Sequence, residues 1–267
     1  MMLSRKMNFL LGFALAYACG GCQKTTTAPA VAGVAELTIV NAIPTTNAVI
    51  PVIGTTQALE SFANTFGVNF TFFGQYSAAP GSDTVYVVQD TDTLDVGQKV
   101  VGQMYHGILP LKKGGIYSLF LCGTDTTSPD YLFTTDTLPY HAPVDSTVGI
   151  RFVNLSTGSN PVSVTLEGSQ NGPEAASLPY KGITGFKNYL TNSTLTDQAY
   201  TFVFRDVGTG DSLTAFTLPG FNNQGGIGLQ EPNSGVPLLF KNITIALVGQ
   251  PGPGALVPQS AIIVDNY

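Results

Sequence analysis

Short runs rich in Val, Ile, Thr, Phe and Tyr follow one another along this chain, punctuated by Gly, Pro, Asn and Asp. β-branched and aromatic residues suit a pleated, half-buried surface, and the punctuating residues supply turns. Candidate strands fall at 36–42, 48–53, 69–73, 84–89, 116–123 and 131–134. A second set falls at 148–154, 162–167, 199–205, 212–218, 238–249 and 261–265. No long segment holds a 3.6-residue apolar period, and 58–65 is the one stretch suited to a short helix. This spacing predicts an all-β protein of tandem immunoglobulin-like antiparallel β-sandwich domains rather than βαβ units.

A length of 267 residues accommodates two such domains or one large one. The halves echo each other. LTIVN at 37–41 answers IRFVN at 150–154, and each is followed by a polar turn and a strand ending in Gly54 or Gly168. YSLFLCG at 117–123 answers TIALVG at 244–249. The Pro-containing stretch 138–145 between the halves suits a linker. The expected organisation is therefore a β-sandwich over 34–143 and a second over 144–267, with one continuous sandwich as the alternative.

The first 22 residues set the address. Arg5 and Lys6 form a positive n-region, and 9–17 is an apolar stretch well short of the ~20 residues a spanning helix needs. Small residues and a cysteine follow. The pattern resembles the lipobox of bacterial lipoproteins, in which a cysteine after small residues is diacylated and becomes the mature N-terminus. Cys19, after Ala18, is the expected lipid carrier, with Cys22 as the alternative. A signal peptide over 1–18 and a Thr-, Ala- and Pro-rich tether over 19–33 follow from that choice. The expected location is the outer membrane, on its periplasmic or surface face, with plain secretion as the alternative. The membrane itself is then a partner through the acyl chains, each buried CH₂ of which contributes about 0.8 kcal/mol.

The domain residues resemble the DUF4397 family, a domain of unassigned function common in secreted and lipoprotein chains of Bacteroidota. RFVNLS at 151–156, continuing into VSVTLEG at 162–168, matches the family's opening strand, turn and second strand. Tyr117 to Gly123 is similar to a later strand of the family, and Asp136 and Ala142-Pro143 stand where it often has an acid and Ala-Pro. The likeness departs at Leu37-Thr38, which replaces the basic opening, and near 225–237, where a Gly/Asn/Pro-rich loop is inserted. The resemblance implies a fold and a compartment. It implies no catalytic residues.

Only 10% of residues are charged, and the net charge is −6. Removal of Arg5 and Lys6 leaves 9 basic against 17 acidic residues, a net charge of −8. With no basic cluster beyond Lys112-Lys113, nucleic acid is not an expected partner. Asp90, Asp92 and Asp95 form the densest acidic cluster; they can be read as a calcium site or as a solvated turn. His106 and His141 lack metal-ligand spacing, Cys122 sits in an apolar run as a small core residue, and Gly225-Gly-Ile-Gly228 has no strand–helix unit around it. Tyr76, Tyr86, Tyr105, Tyr180 and Tyr189 are candidates for a stacking surface or for half-buried packing. Asn69, Asn154, Asn192 and Asn242 open glycosylation-type sequons that the Asn/Thr-rich composition would produce by coincidence.

The expected protein is a non-enzymatic envelope lipoprotein with no catalytic, cofactor or metal residues. It binds or displays itself to a protein or polysaccharide, or assembles through edge strands as an adhesin-type structural subunit.

Overall fold

The computed structural model describes residues 33–46, 48–53, 68, 70–89, 103–142, 144–190, 200–218 and 240–266. Cys19, Cys22, the 58–65 segment, Asp90, Asp92, Asp95, Pro143, Asn69, Asn192 and the 225–237 loop lie outside them. No helix among the described residues is long and apolar enough to cross a membrane. Val34–Tyr267 is one compact unit, and its secondary structure is β throughout the described residues.

The first half contributes β1 (Ala35–Asn41), β2 (Val49–Ile53), β3 (Phe73–Ala78), β4 (Gly81–Gln89), β5 (Gln103–Leu111), β6 (Ile116–Gly123) and β7 (Pro129–Thr135). The second contributes β8 (Thr147–Asn154), β9 (Val162–Leu166), β10 (Ala175–Leu178), β11 (Lys187–Leu190), β12 (Tyr200–Asp206), β13 (Ser212–Leu218), β14 (Asn242–Val248) and β15 (Ser260–Asp265). They form four sheets in the orders β3-β1-β6-β7, β2-β4-β5, β11-β8-β14-β15 and β10-β9-β12-β13. Pairing is antiparallel except at the centres of two sheets, where β1 lies parallel to β6 and β8 parallel to β14. The sandwiches are thus mixed, antiparallel apart from those two pairs. A parallel pair needs a long crossover, and here it runs through the strands of the outer sheet and one edge strand of the inner sheet, β3 or β11.

Burial explains the layering. Leu37, Ile39, Tyr117, Leu119 and Leu121 point from β1 and β6 into a core shared with Val85, Val87, Leu109 and Leu111 of the outer sheet. Ile150, Phe152, Ile243, Ile245 and Leu247 do the same with Val164, Phe202 and Phe204. The alternate residues of the inner strands are buried as well. Val40, Ala42, Phe120 and Cys122 meet Val153, Leu155, Ala246, Val248 and Val264 in a third core between the halves. Side chains alternate across a strand, so one strand serves two cores. The stack is thus outer sheet, inner sheet, inner sheet, outer sheet. β6, β8 and β14 are buried along almost their whole length, as strands covered on both faces must be, and they carry nearly unbroken apolar runs.

Several strands differ from the sequence reading. β3 begins where the 69–73 run was expected to end. β5, β10 and β11 were not anticipated. Gly107 and Pro110 mark β5 as a breaker-rich segment, yet β5 pairs only with β4, and Pro is tolerated on such an edge. β10 and β11 have four residues each, too few to show a period.

Candidate binding surface at the seam between the halves

Each residue type that carries chemistry is best judged by what surrounds it. Cys122 is fully buried. Its thiol accepts from the Tyr180 hydroxyl at 3.1 Å, and desolvation pushes its pKa up to about 12. It packs as the small core residue its apolar run suggested and is not poised as a nucleophile. His141, in the 138–145 stretch, is buried: Nδ1 lies 2.9 Å from Thr147 Oγ1 and Nε2 3.0 Å from Asn242 Oδ1. Asn242 Nδ2 donates to the Pro139 carbonyl, which leaves Oδ1 as the acceptor for an Nε2–H tautomer. The stretch expected as a linker is thereby pinned to β8 and β14. His106 is exposed on β5, away from that cluster. Among the described residues no group of three or more His, Cys, Asp and Glu side chains converges.

Asn154 and Asn242, two of the sequon asparagines, are buried. Asn154 Nδ2 donates to the Leu178 carbonyl at 3.1 Å and to Ser159 Oγ at 3.0 Å, while its Oδ1 accepts from the Ser156 N–H at 3.0 Å. Neither side chain is available to a glycan. Four of the five candidate tyrosines are described, and each is packed. Tyr76 is partly buried against the first core, and burial raises its pKa to about 12. Tyr105 and Tyr189 are buried, the latter donating to Glu174 Oε2 at 2.6 Å. Tyr180 lies against the third core.

The sequence reading missed Tyr131. It is 48% exposed on β7, an edge strand, and its ring stands edge-on over Tyr105 at 4.8 Å. Beside it, Lys181 of the second half binds Asp130 of the first at 2.8 Å. Both partners are about one-third exposed, so the pair adds little stability, on the order of 0–1 kcal/mol. Burial pushes Asp130 up, but the Lys181 ammonium and the Tyr131 N–H outweigh it and hold the carboxyl below its ordinary range. Lys181 is raised by the same pair. Lys181 also adopts φ +61°, and Thr71 at the matching place in the first half adopts φ +72°, so the backbone there belongs to the fold. The side chains do not match across the halves. Where one side carries Asp130, Tyr131 and Lys181, the corresponding positions are Ser260, Ala261 and Thr71. Along β7 the exposed Tyr131 ring leans on Tyr105 while the neighbouring Asp130 pairs with Lys181 across the seam, so among the described residues an aromatic ring and an ion pair stand on adjacent residues of one edge strand. That set can stack an apolar face and hydrogen-bond hydroxyl groups. It offers no nucleophile–base pair.

The fold defines an all-β protein of stacked sandwiches. Residues 35–165 match the model of a family described as Domain of unknown function (DUF4397). That match takes in the first sandwich and runs through β8 into β9, the RFVN strand and its successor. No curated protein matches the chain. Among solved structures, a family 26 carbohydrate-binding module from Eubacterium rectale Amy13K, in complex with maltoheptaose, is similar at 11% identity and a TM-score of 0.27. The match covers 87% of this chain and 97% of that one. A proposed adhesin from Bacteroides ovatus is similar at 13% identity and a TM-score of 0.24, over 88% of this chain and 95% of that one. Likenesses of that size carry no ligand over to this chain.

Proposed function

We propose that the chain is a non-catalytic cell-envelope module that binds a polysaccharide through the Tyr131–Asp130–Lys181 seam. A lipid on Cys19 (or alternatively Cys22) tethers it to the outer membrane. The exposed Tyr131 ring, braced by Tyr105 and flanked by an ion pair from both halves, is the observation that carries the binding role. Aromatic stacking with a few placed polar groups is how concave or planar sites hold sugars and similar ligands. The signal-type N-terminus supports the anchor and the compartment. Assembly through edge strands is less favoured: Pro51 in the edge strand β2 removes a donor, and β10 breaks register against β9.

Two measurements test the two parts separately. Intact mass of membrane-extracted protein should show a lipid-sized increase that Cys19→Ala abolishes. Loss in Cys22→Ala instead moves the anchor, and an unlipidated wild type ends the lipoprotein reading. Affinity electrophoresis through a panel of neutral and uronate-containing polysaccharides should retard the wild type in at least one gel and leave Tyr131→Ala unretarded. Retardation in none, or equal retardation of both proteins, overturns the binding reading.

A further inference from the structure

Equivalent backbone hydrogen bonds recur in the inner sheets of the two halves. Ala42 N–H donates to Leu121 O at 2.8 Å, and Leu155 N–H to Leu247 O at 2.8 Å. Asn41 N–H donates to Phe72 O at 3.0 Å, and Asn154 N–H to Gly182 O at 3.0 Å. Asp136 N–H donates to Ile116 O at 2.8 Å, and Asn266 N–H to Asn242 O at 2.8 Å. These pairs align the repeats residue by residue. Thr38 corresponds to Arg151, Ser118 to Thr244, Asp136 to Asn266, and Thr124 to Gln250.

These residues line the seam between the inner sheets, and two of the equivalent pairs touch across it: Asn266 Nδ2 lies 3.4 Å from Asp136 Oδ2, and Gln250 bonds Thr124. Ser118 Oγ donates to Asp136 Oδ2 at 2.6 Å, and Thr244 Oγ1 donates to Asn266 Oδ1 at 2.5 Å. Arg151 crosses the seam, with Nη1 2.7 Å from Asp136 Oδ1, Nη2 2.9 Å from Asp136 Oδ2 and Nη2 3.2 Å from Ser118 Oγ. Its Nε donates to Thr244 Oγ1 at 2.7 Å, and Phe186 stacks beneath the guanidinium at 4.6 Å. Asn266 Nδ2 reaches back to Ser118 Oγ at 3.3 Å. Gln250 Nε2 donates to its counterpart's carbonyl, Thr124 O, at 2.8 Å. Contacts between equivalent residues are the mark of an isologous interface. One element is missing. Thr38, where the second repeat has Arg151, is buried with no hydrogen-bond partner for its Oγ1 among the described residues. Gln75, the cross-strand neighbour of Thr38, donates to Asp265 O at 3.0 Å, beside Asn266. The place for a second pair thus exists, with Thr and Asn in it.

We propose that the inner-sheet face of this repeat is a self-recognition surface whose partner is a second copy of the same repeat, related by a two-fold axis. This chain holds both copies. Of two symmetry-related Arg–Asp pairs, Arg151–Asp136 remains, and Thr38 and Asn266 occupy the site of the other. Mutual selection rests on the arginine of one repeat being buried against the carboxylate of the other.

An exchange series in the full chain tests this at constant composition. The base exchange combines Arg151→Thr with Thr38→Arg; the acid exchange combines Asp136→Asn with Asn266→Asp. Either exchange alone puts both charges in the same repeat, one at each of the two symmetry-related sites, so no pair crosses the seam and each should lower the urea midpoint or abolish folding. Both together rebuild the pair as its symmetry mate and should recover at least half of the lost midpoint. A combined variant that is no more stable than the half exchanges, or that fails to fold, overturns the proposal. So does either half exchange that retains the wild-type midpoint.

Discussion

Asn41 and Asn154 show how one side chain can define a repeat. Each ends its inner strand, and each Oδ1 accepts from the backbone N–H two residues on and faces a hydroxyl five residues on, Thr46 or Ser159. Each Nδ2 donates to a distant carbonyl, Val68 O or Leu178 O. Such a turn closes locally and is tied to the sheet at once. Asn154→Ala strands a buried carbonyl and N–H and should cost about 1–3 kcal/mol. Urea unfolding of this variant against Ser159→Ala, which leaves the other bonds of the asparagine in place, will show whether the asparagine carries the turn. The VN dipeptides were visible in the sequence as a repeat. Their role was not, because Asn154-Leu-Ser156 also spells a sequon and Asn is an ordinary turn residue. Cys122 was legible, since an apolar run around a lone cysteine already implies burial. Tyr131 was not, because exposure on an edge strand depends on which neighbours are missing.

At the level of elements, the strands ending in glycine fix where chain direction changes. Gly123 ends β6 and Gly249 follows β14, with φ of +124° and +85°. A Cβ would stand 2.4 Å from Ser128 O at the first and 2.4 Å from Pro258 O at the second. Both carbonyls belong to backbone, so neither can swing aside. Gly249→Ala should therefore lose about 1–3 kcal/mol or more from strain and close contact, whereas Gly254→Ala, with open space and an ordinary backbone, should stay near neutral. Thermal unfolding of the two variants side by side makes the comparison. The long inner strands were read correctly from sequence because burial on both faces leaves an apolar run. The parallel pairing of β1 with β6 and of β8 with β14 was not readable. Nothing within a strand records the direction of a neighbour some eighty residues away in sequence.

Across the whole molecule, the third core and the Arg151 clasp join the halves. Asp136 is fully buried at its side chain, and Arg151 is 5% exposed. Removing one partner by mutation while the seam stays closed would leave the other charge buried without its counter-ion, at a cost on the order of 3–5 kcal/mol. The body from Val34 onward should consequently unfold in one transition. Agreement of calorimetric and van't Hoff enthalpies would bear this out, and two resolved transitions would contradict it. The doubling of the motif was legible from RFVN and LTIVN alone. That the two copies face each other was not, since the apolar alternate residues that join them look the same as those that fill each sandwich. The four-layer stack also divides the chain by its latitude for change. A substitution in an inner strand must suit two packed faces, whereas the water-facing positions of β9, β12 and β13 answer to one. A lineage carrying this body can alter what it presents to its surroundings on the outer sheets and along the seam while the buried clasp continues to specify the fold.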